Sequence, residues 1–365
     1  MIDRRLWDHL NGRLLGFVAA LMMIGIVNLY SATIGPAYEG VFSFYQRQLC
    51  WFLIAAILGL AVCWIDYRYY EQYAYVLFAI IIIVIAVVLV HGMVLGGVKR
   101  WIRLGTFAFQ PSEVMKIALI LALGRYFSHF EREEYRLRDL WTPGILIVLP
   151  TLLVARQPDL GTAFILLLIF FSILMFVRVR IQSFWILLAT IVLTAPLLWM
   201  VLKDYQRTRI LTFLDPGRDP LGAGYHVIQS KIALGSGGVW GKGFLHGTQC
   251  KLQFLPEHHT DFAFAVLGEE WGFVGCGIVL GLYLAIIVVG LGISARAKDR
   301  YGAIVAFGVT AMIFWHVTVN IGMVVGIMPV VGLPLPFLSY GGSSALTNAI
   351  AIGLLLNVEA RRHIF

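Results

Sequence analysis

Polar and ionisable side chains gather at four places in this sequence, each at the edge of a long apolar run. The first runs from Lys99-Arg100-Trp101-Ile102-Arg103 to Gln110-Pro111-Ser112-Glu113, and the second is Gln157-Pro158-Asp159-Leu160-Gly161-Thr162. The third is the segment 203–259, and the fourth is Pro334-Leu335-Pro336-Phe337-Leu338-Ser339-Tyr340-Gly341-Gly342-Ser343-Ser344. Pro111 suits the first turn of a helix, where its missing N–H is no loss. Glu113 and Lys116 then share one helical face, three residues apart. Ionisable groups at the rim of a hydrocarbon layer are unfavourable unless they face each other or a wet cavity. The pair is therefore either a self-neutralising ion pair or the wall of a cleft for a charged ligand. Asp261 closes Leu255-Pro256-Glu257-His258-His259-Thr260-Asp261 just before apolar residues resume. Partial burial there suits a general base, and the same residue can cap the helix that enters at Phe262.

The remaining motifs are weaker. Asp204 to Arg209 opens the long segment with charge, and Asp215-Pro216 and Asp219-Pro220 read as turns. His226 to Leu234 is amphipathic and carries Lys231, after which Gly235, Gly237, Gly238, Gly241 and Gly243 flank Lys242. Such a glycine turn can present N–H groups to phosphate, but it lacks the order of a Walker loop. His258 and His259 are adjacent, and adjacent ligands share one ion poorly, which argues against zinc. Cys50, Cys63, Cys250 and Cys276 show no metal spacing and imply no disulfide framework.

The elements that must position these residues follow from composition. The chain has 365 residues, of which 60% are hydrophobic and 13% charged. So few charged groups cannot coat a water-facing surface of this size, so lipid is the solvent. The net charge of +8 is dispersed among apolar runs rather than gathered in a basic domain, which excludes nucleic-acid binding.

Apolar runs of the order needed to cross a bilayer as helices number ten, the fourth, fifth and tenth short or polar-flanked: Leu14–Tyr30, Gln48–Ile65, Tyr75–Leu95, Pro111–Phe127, Trp141–Ala155, Gly161–Val177, Phe184–Leu202, Trp271–Ser294, Ala303–Met323 and Ser344–Val358. The expected fold is an all-α polytopic membrane protein, one membrane domain over 1–365, with a large extracytoplasmic loop, 203–261, between helices 7 and 8. Fourteen Lys and Arg fall in the short connections on one side and five on the other. The positive-inside rule then places both termini in the cytoplasm. All four polar motifs emerge on the outer side, which argues for one outward-facing site.

In this order the motifs resemble the SEDS family (shape, elongation, division, sporulation), over nearly the whole chain. Arg100-Trp101-Ile102-Arg103 with Gln110-Pro111-Ser112-Glu113, then Gln157 to Thr162, Asp215-Pro216 with Gly224-Tyr225, and Pro334 to Ser344 carry the resemblance. The run Gly241 to Gln249, leading into Phe254-Leu255-Pro256-Glu257, looks like the elongation branch. The resemblance implies a peptidoglycan glycosyltransferase of the bacterial cytoplasmic membrane, polymerising lipid II on the outer face. It maps an essential aspartate onto Asp261, a functional glutamate and lysine onto Glu113 and Lys116, and a needed tryptophan onto Trp101. Arg100, Asp159, Glu257, Arg209, Lys231, Lys242 and Ser343 complete the expected substrate-binding set.

A divalent cation, magnesium or manganese, is the expected cofactor. The expected partners are a class B penicillin-binding protein, whose transpeptidase cross-links the strands, and other membrane proteins of the elongation complex. A flippase of lipid-linked precursors is the rival class. It would need polar groups at midplane, whereas Glu113, Lys116, Asp159 and Asp261 all map to the outer edge.

Overall fold

The computed structural model describes residues 10–33, 44–95, 98–104, 107–201, 204–215, 222–252, 254 and 259–362. Helices dominate it. In chain order they are α1 (Gly12–Ala32), α2 (Phe44–Trp64), α3 (Tyr67–His91), α4 (Pro111–His129), α5 (Trp141–Arg156), α6 (Leu160–Phe176), α7 (Ile181–Val201), α8 (Asp204–Leu214), α9 (Ala223–Gly237), α10 (Thr248–Lys251), α11 (Ala263–Arg296), α12 (Arg300–Val325) and α13 (Gly342–Arg361). Each of the ten apolar runs falls on its own helix, α1–α7 or α11–α13. Among the described residues, seven helical segments are long and apolar enough to cross a membrane. They are α1, α2, α3, Leu137–Arg156, α11, α12 and α13.

Local chemistry sets several starts. Side chains accept from orphan amides at four N-termini: Asn11 from Leu14 (3.2 Å), Asp66 from Arg68 (3.0 Å), Asp159 from Thr162 (3.2 Å) and Asp299 from Gly302 (2.7 Å). Pro111 stands at the first turn of α4, as its sequence position implies. At the C-terminus of α2 the carbonyls of Cys63 and Trp64 accept from Arg361 at the end of α13 (3.0 and 2.7 Å). That contact satisfies groups a helix end would otherwise leave unpaired in an apolar setting.

α12 is the central strut. It packs on α4, α6, α9, α11 and α13, and it is buried through most of its length. The most extensive helix pair is α2 with α13, where Gly59 and Gly353 bring backbone against backbone. A Cβ on Gly353 would lie 2.4 Å from the Gly59 carbonyl oxygen, so only glycine fits.

Three features depart from the sequence expectation. The third helix ends at His91 rather than Leu95, because Met93–Leu95 is a strand, β1. It pairs antiparallel with β2 (Val98–Leu104), which pairs antiparallel with β3 (Phe107–Phe109), making a small sheet between α3 and α4. The helix carrying the eighth run extends back to Ala263, with Glu269 and Glu270 buried inside it, and its break at Gly272 falls beside the expected start at Trp271. The long segment is not all loop: α9 packs on α11 and α12.

α11 is broken at Gly272, whose φ of 64° and ψ of −161° leave the helical region. The break frees the carbonyls of Glu269 and Glu270 and the amides of Phe273 and Val274. The glycine turn takes all four: Lys242 and Gly243 donate to the carbonyls (both 3.0 Å), and Gly238 and Val239 accept from the amides (2.9 and 3.1 Å). A Cβ on Gly272 would meet the Gly241 amide nitrogen at 2.3 Å, and one on Gly241 (φ 78°) would meet the Glu270 carbonyl oxygen at 2.1 Å.

Candidate functional site

The two short Gln-Pro motifs meet at the N-termini of α4 and α6. Gln110 Nε2 donates to Asp159 Oδ2 (2.6 Å) and Ser112 Oγ (2.9 Å), and Ser112 Oγ donates to the same Asp159 oxygen (3.2 Å). Asp159 Oδ1 accepts from the Thr162 amide at 3.2 Å and so caps α6. The Gln110 amide donates to Ser343 Oγ (3.0 Å), tying the start of α13 into the same knot. Asp159 and Ser343 were expected to bind substrate. Their polar atoms are instead engaged in this buried clamp, which holds three helix starts in register.

One turn below, Glu113 and Lys116 are 4% and 1% exposed. Lys116 Nζ lies 2.8 Å from Glu113 Oε1 and 2.9 Å from His316 Nε2 on α12. Glu113 Oε2 is buried with no partner. Four residues further along α12, on the same face, Asn320 Nδ2 donates to the backbone carbonyls of Asp261 (2.9 Å) and Leu333 (2.6 Å). Asp261 precedes α11 at intermediate exposure, with its carboxylate against Gly332: a Cβ there would be 3.3 Å from Asp261 Oδ2. The Tyr340 amide donates to His259 O at 2.9 Å, and the Gly341 amide to Gln48 Oε1 of α2 at 3.2 Å. Two elements that the sequence separates by about 150 residues thus reach one helix face, the Lys116 cation through His316 and the backbone of Asp261 through Asn320.

Trp101 and Arg100 are half-buried on β2, with the Arg100 guanidinium 5.8 Å from the Trp101 ring centroid. Ser343 Oγ also reaches the Ala108 carbonyl of β3 at 3.4 Å, which couples the sheet to the start of α13.

Other expected residues lie elsewhere. Lys242 pairs with Glu269 at 2.6 Å, and the same carboxylate accepts from the Thr248 amide (2.8 Å) and Thr248 Oγ1 (2.9 Å). A buried carboxylate demands those donors, so the Lys242 ammonium is committed to Glu269 here, and the backbone of the glycine turn satisfies the break in α11. Arg209 lines a small cavity with Val227, Gly326 and Pro329, and the Lys231 side chain lies over Gly326. Both therefore sit at the end of α12, apart from the clamp. Glu257 lies outside the described residues.

Sequence reasoning missed His316, Asn320, Glu269 and Glu270. His316 and Asn320 interrupt the apolar run Ala303–Met323, and a lone ionisable group in such a run is itself a signal. Among the described residues no three or more His, Cys, Asp or Glu gather as a metal cage.

The family model of the cell cycle proteins FtsW, RodA and SpoVE matches residues 12–364. The chain is 41% identical to the peptidoglycan glycosyltransferase MrdB of Escherichia coli (strain K12), over 98% of this chain and 95% of that protein. It is 35% identical to the peptidoglycan glycosyltransferase RodA of Treponema pallidum, over 94% and 96%. Among solved structures, one described as "Structural coordination of polymerization and crosslinking by a peptidoglycan synthase complex" contains a chain that superposes with a TM-score of 0.80. That chain is 31% identical, with 97% of this chain and 98% of that one covered. The rod shape determining protein RodA of Thermus thermophilus gives a TM-score of 0.73 at 28% identity, over 98% and 99%.

Proposed function

The chain belongs to the FtsW, RodA and SpoVE family of cell cycle proteins, the SEDS family, and from that membership we propose that it is a peptidoglycan glycosyltransferase polymerising lipid II into β-1,4 glycan strands during cell elongation. It is a multi-pass membrane protein. The proposal extends to ten crossings of the bacterial cytoplasmic membrane, with both termini inside and 203–261 outside. The uneven distribution of Lys and Arg among the short connections supports that orientation.

In the reaction a sugar hydroxyl of one substrate attacks the anomeric carbon of a muramyl residue. The bond to undecaprenyl pyrophosphate breaks, and the α-linked centre inverts to β. Two demands follow. A base must take the hydroxyl proton as the C–O bond forms, and positive charge must offset the negative charge that grows on the departing pyrophosphate. Asp261 meets the first and Lys116 the second, with Glu113 holding the ammonium. The observation that carries this assignment is that one face of α12 holds both a buried ammonium, through His316, and the backbone of Asp261, through Asn320, from distant parts of the chain. Trp101 and Arg100, on the sheet that Ser343 couples to the clamp, complete the proposed substrate contacts.

Magnesium commonly takes one or two protein carboxylates and fills its remaining positions with substrate phosphates and water, so it needs no protein cage. Glu113 Oε2, buried and without a partner, is an oxygen that fits such an ion. A bound magnesium or manganese ion would supply charge neutralisation for the pyrophosphate. A class B penicillin-binding protein is the proposed partner, together with other membrane proteins of the elongation machinery. The likeness to a chain of a synthase complex that coordinates polymerization and crosslinking supports that pairing.

The direct test is incubation of the purified protein with purified lipid II, with and without the transpeptidase. Glycan polymer is the expected product, and its absence under both conditions would refute the assignment.

A further inference from the structure

His316 stands 1% exposed inside α12, with Nε2 2.9 Å from Lys116 Nζ. An ammonium has only protons to give, so with Lys116 charged the imidazole nitrogen at that distance accepts, which puts the ring's proton on Nδ1, a buried atom with no hydrogen-bond partner among the described residues. The carboxylate of Glu113 alone does not explain where the ammonium lies. Glu113 Oε1 is 2.8 Å from Nζ while Oε2, equally buried, has no partner, so Lys116 is not shared between the two oxygens of its acid. Its second acceptor comes from a different helix.

We infer that His316 is a positioning residue for glycosyl transfer: a neutral acceptor that fixes Lys116 from the α12 side and leaves the ammonium's third N–H for the pyrophosphate of the lipid-linked donor. Neutrality matters here. Glu113 already balances the charge of Lys116, and a second carboxylate at 316 would make the group anionic and repel the leaving group. Imidazole supplies direction without subtracting charge. A lysine stem has four flexible carbons, so its charge needs such a second tether to stay in one place. Asn320, one turn on, holds the Asp261 backbone from the same helix, so α12 sets the positions of cation and base together.

The inference rests on the glycosyltransferase assignment, and the experiment separates the two. Native protein, His316→Gln, His316→Leu and Lys116→Met are assayed as full-length chains on lipid II, with thermal stability in detergent measured alongside. Glutamine can accept from the ammonium through Oε1, and leucine cannot. His316→Leu is expected to lower kcat by roughly a hundredfold with KM little changed, in the range for loss of an aligned charge contact. His316→Gln should stay within about tenfold of the native rate. Two residues acting as one unit lose their effect only once, so adding His316→Leu to Lys116→Met should cost nothing further.

If the leucine variant does not fold, His316→Met takes its place in the same cycle, and if Lys116→Met leaves Glu113 unpaired and unfolds the protein, the Glu113→Leu, Lys116→Met pair takes its place. Equal activity of the glutamine and apolar variants, or losses that multiply with that of Lys116→Met, would reduce His316 to a packing residue and overturn the inference. A native protein that makes no polymer would refute the assignment of function, and the role of His316 with it.

Discussion

A lysine that is almost wholly buried must be matched by acceptors, and the number and charge of those acceptors decide what the cation can still do. Breaking a buried pair by removing one partner is strongly destabilising, whereas replacing both with apolar groups is often neutral. Glu113→Leu with Lys116→Met together should therefore keep the fold, and if the pair only neutralised itself it would also keep the activity. With Lys116 at the pyrophosphate, polymerisation by the double variant should fall by roughly two to three orders of magnitude, measured on lipid II at unchanged melting temperature. Asp261→Asn preserves size and hydrogen-bonding shape while removing basicity. It should leave the protein folded and able to bind its transpeptidase but without detectable polymer. The spacing of Glu113 and Lys116 made their pairing legible in the sequence, because three residues on a helix is a local relation. The third member was not legible in the same way: His316 is 200 residues away. Only the packing of α12 against α4 brings it to the lysine.

At the scale of elements, periodicity and charge located the long helices well, and boundaries failed where tertiary contacts overrode local pattern. Glu269 and Glu270 resemble a membrane edge in sequence. In the structure Lys242 and Thr248 neutralise or cap the first, and Ser31 donates to the second. The strands β1 to β3 are only three to seven residues long, too short for alternation to reveal. The glycine turn was legible as glycine-rich, but its purpose lies in the break at Gly272, which no local pattern announces. Gly272→Ala forces a methyl into the Gly241 backbone and demands a left-handed conformation of alanine, so it should cost on the order of 3 kcal/mol. A lowered unfolding midpoint in detergent would register it. Lys242→Met removes one of several donors to Glu269 and should cost about 1–3 kcal/mol of stability while leaving kcat near normal. A large loss of kcat at unchanged stability would return Lys242 to the substrate site.

At the scale of the molecule, the proposed orientation puts the clamp, Asp261 and the glycine turn outside the cell. Cysteines introduced at exposed Trp240 and at Glu133, in a protein otherwise free of cysteine, should report it. A membrane-impermeant maleimide on intact spheroplasts is expected to label position 240 at once and position 133 only after permeabilisation. The inverse pattern would reverse the topology and the outer-face chemistry with it. The length of α12 makes the lysine contact sensitive to the angle of that helix. Its 26 residues make a rod of about 39 Å, and His316 lies about 24 Å from the Arg300 end. Rotating the rod by about 5° around that end displaces the imidazole by about 2 Å, enough to break a hydrogen bond of ordinary length. A change of that size in the angle of α12 relative to α4 would therefore disconnect the imidazole from the lysine with no contact to the substrate at all.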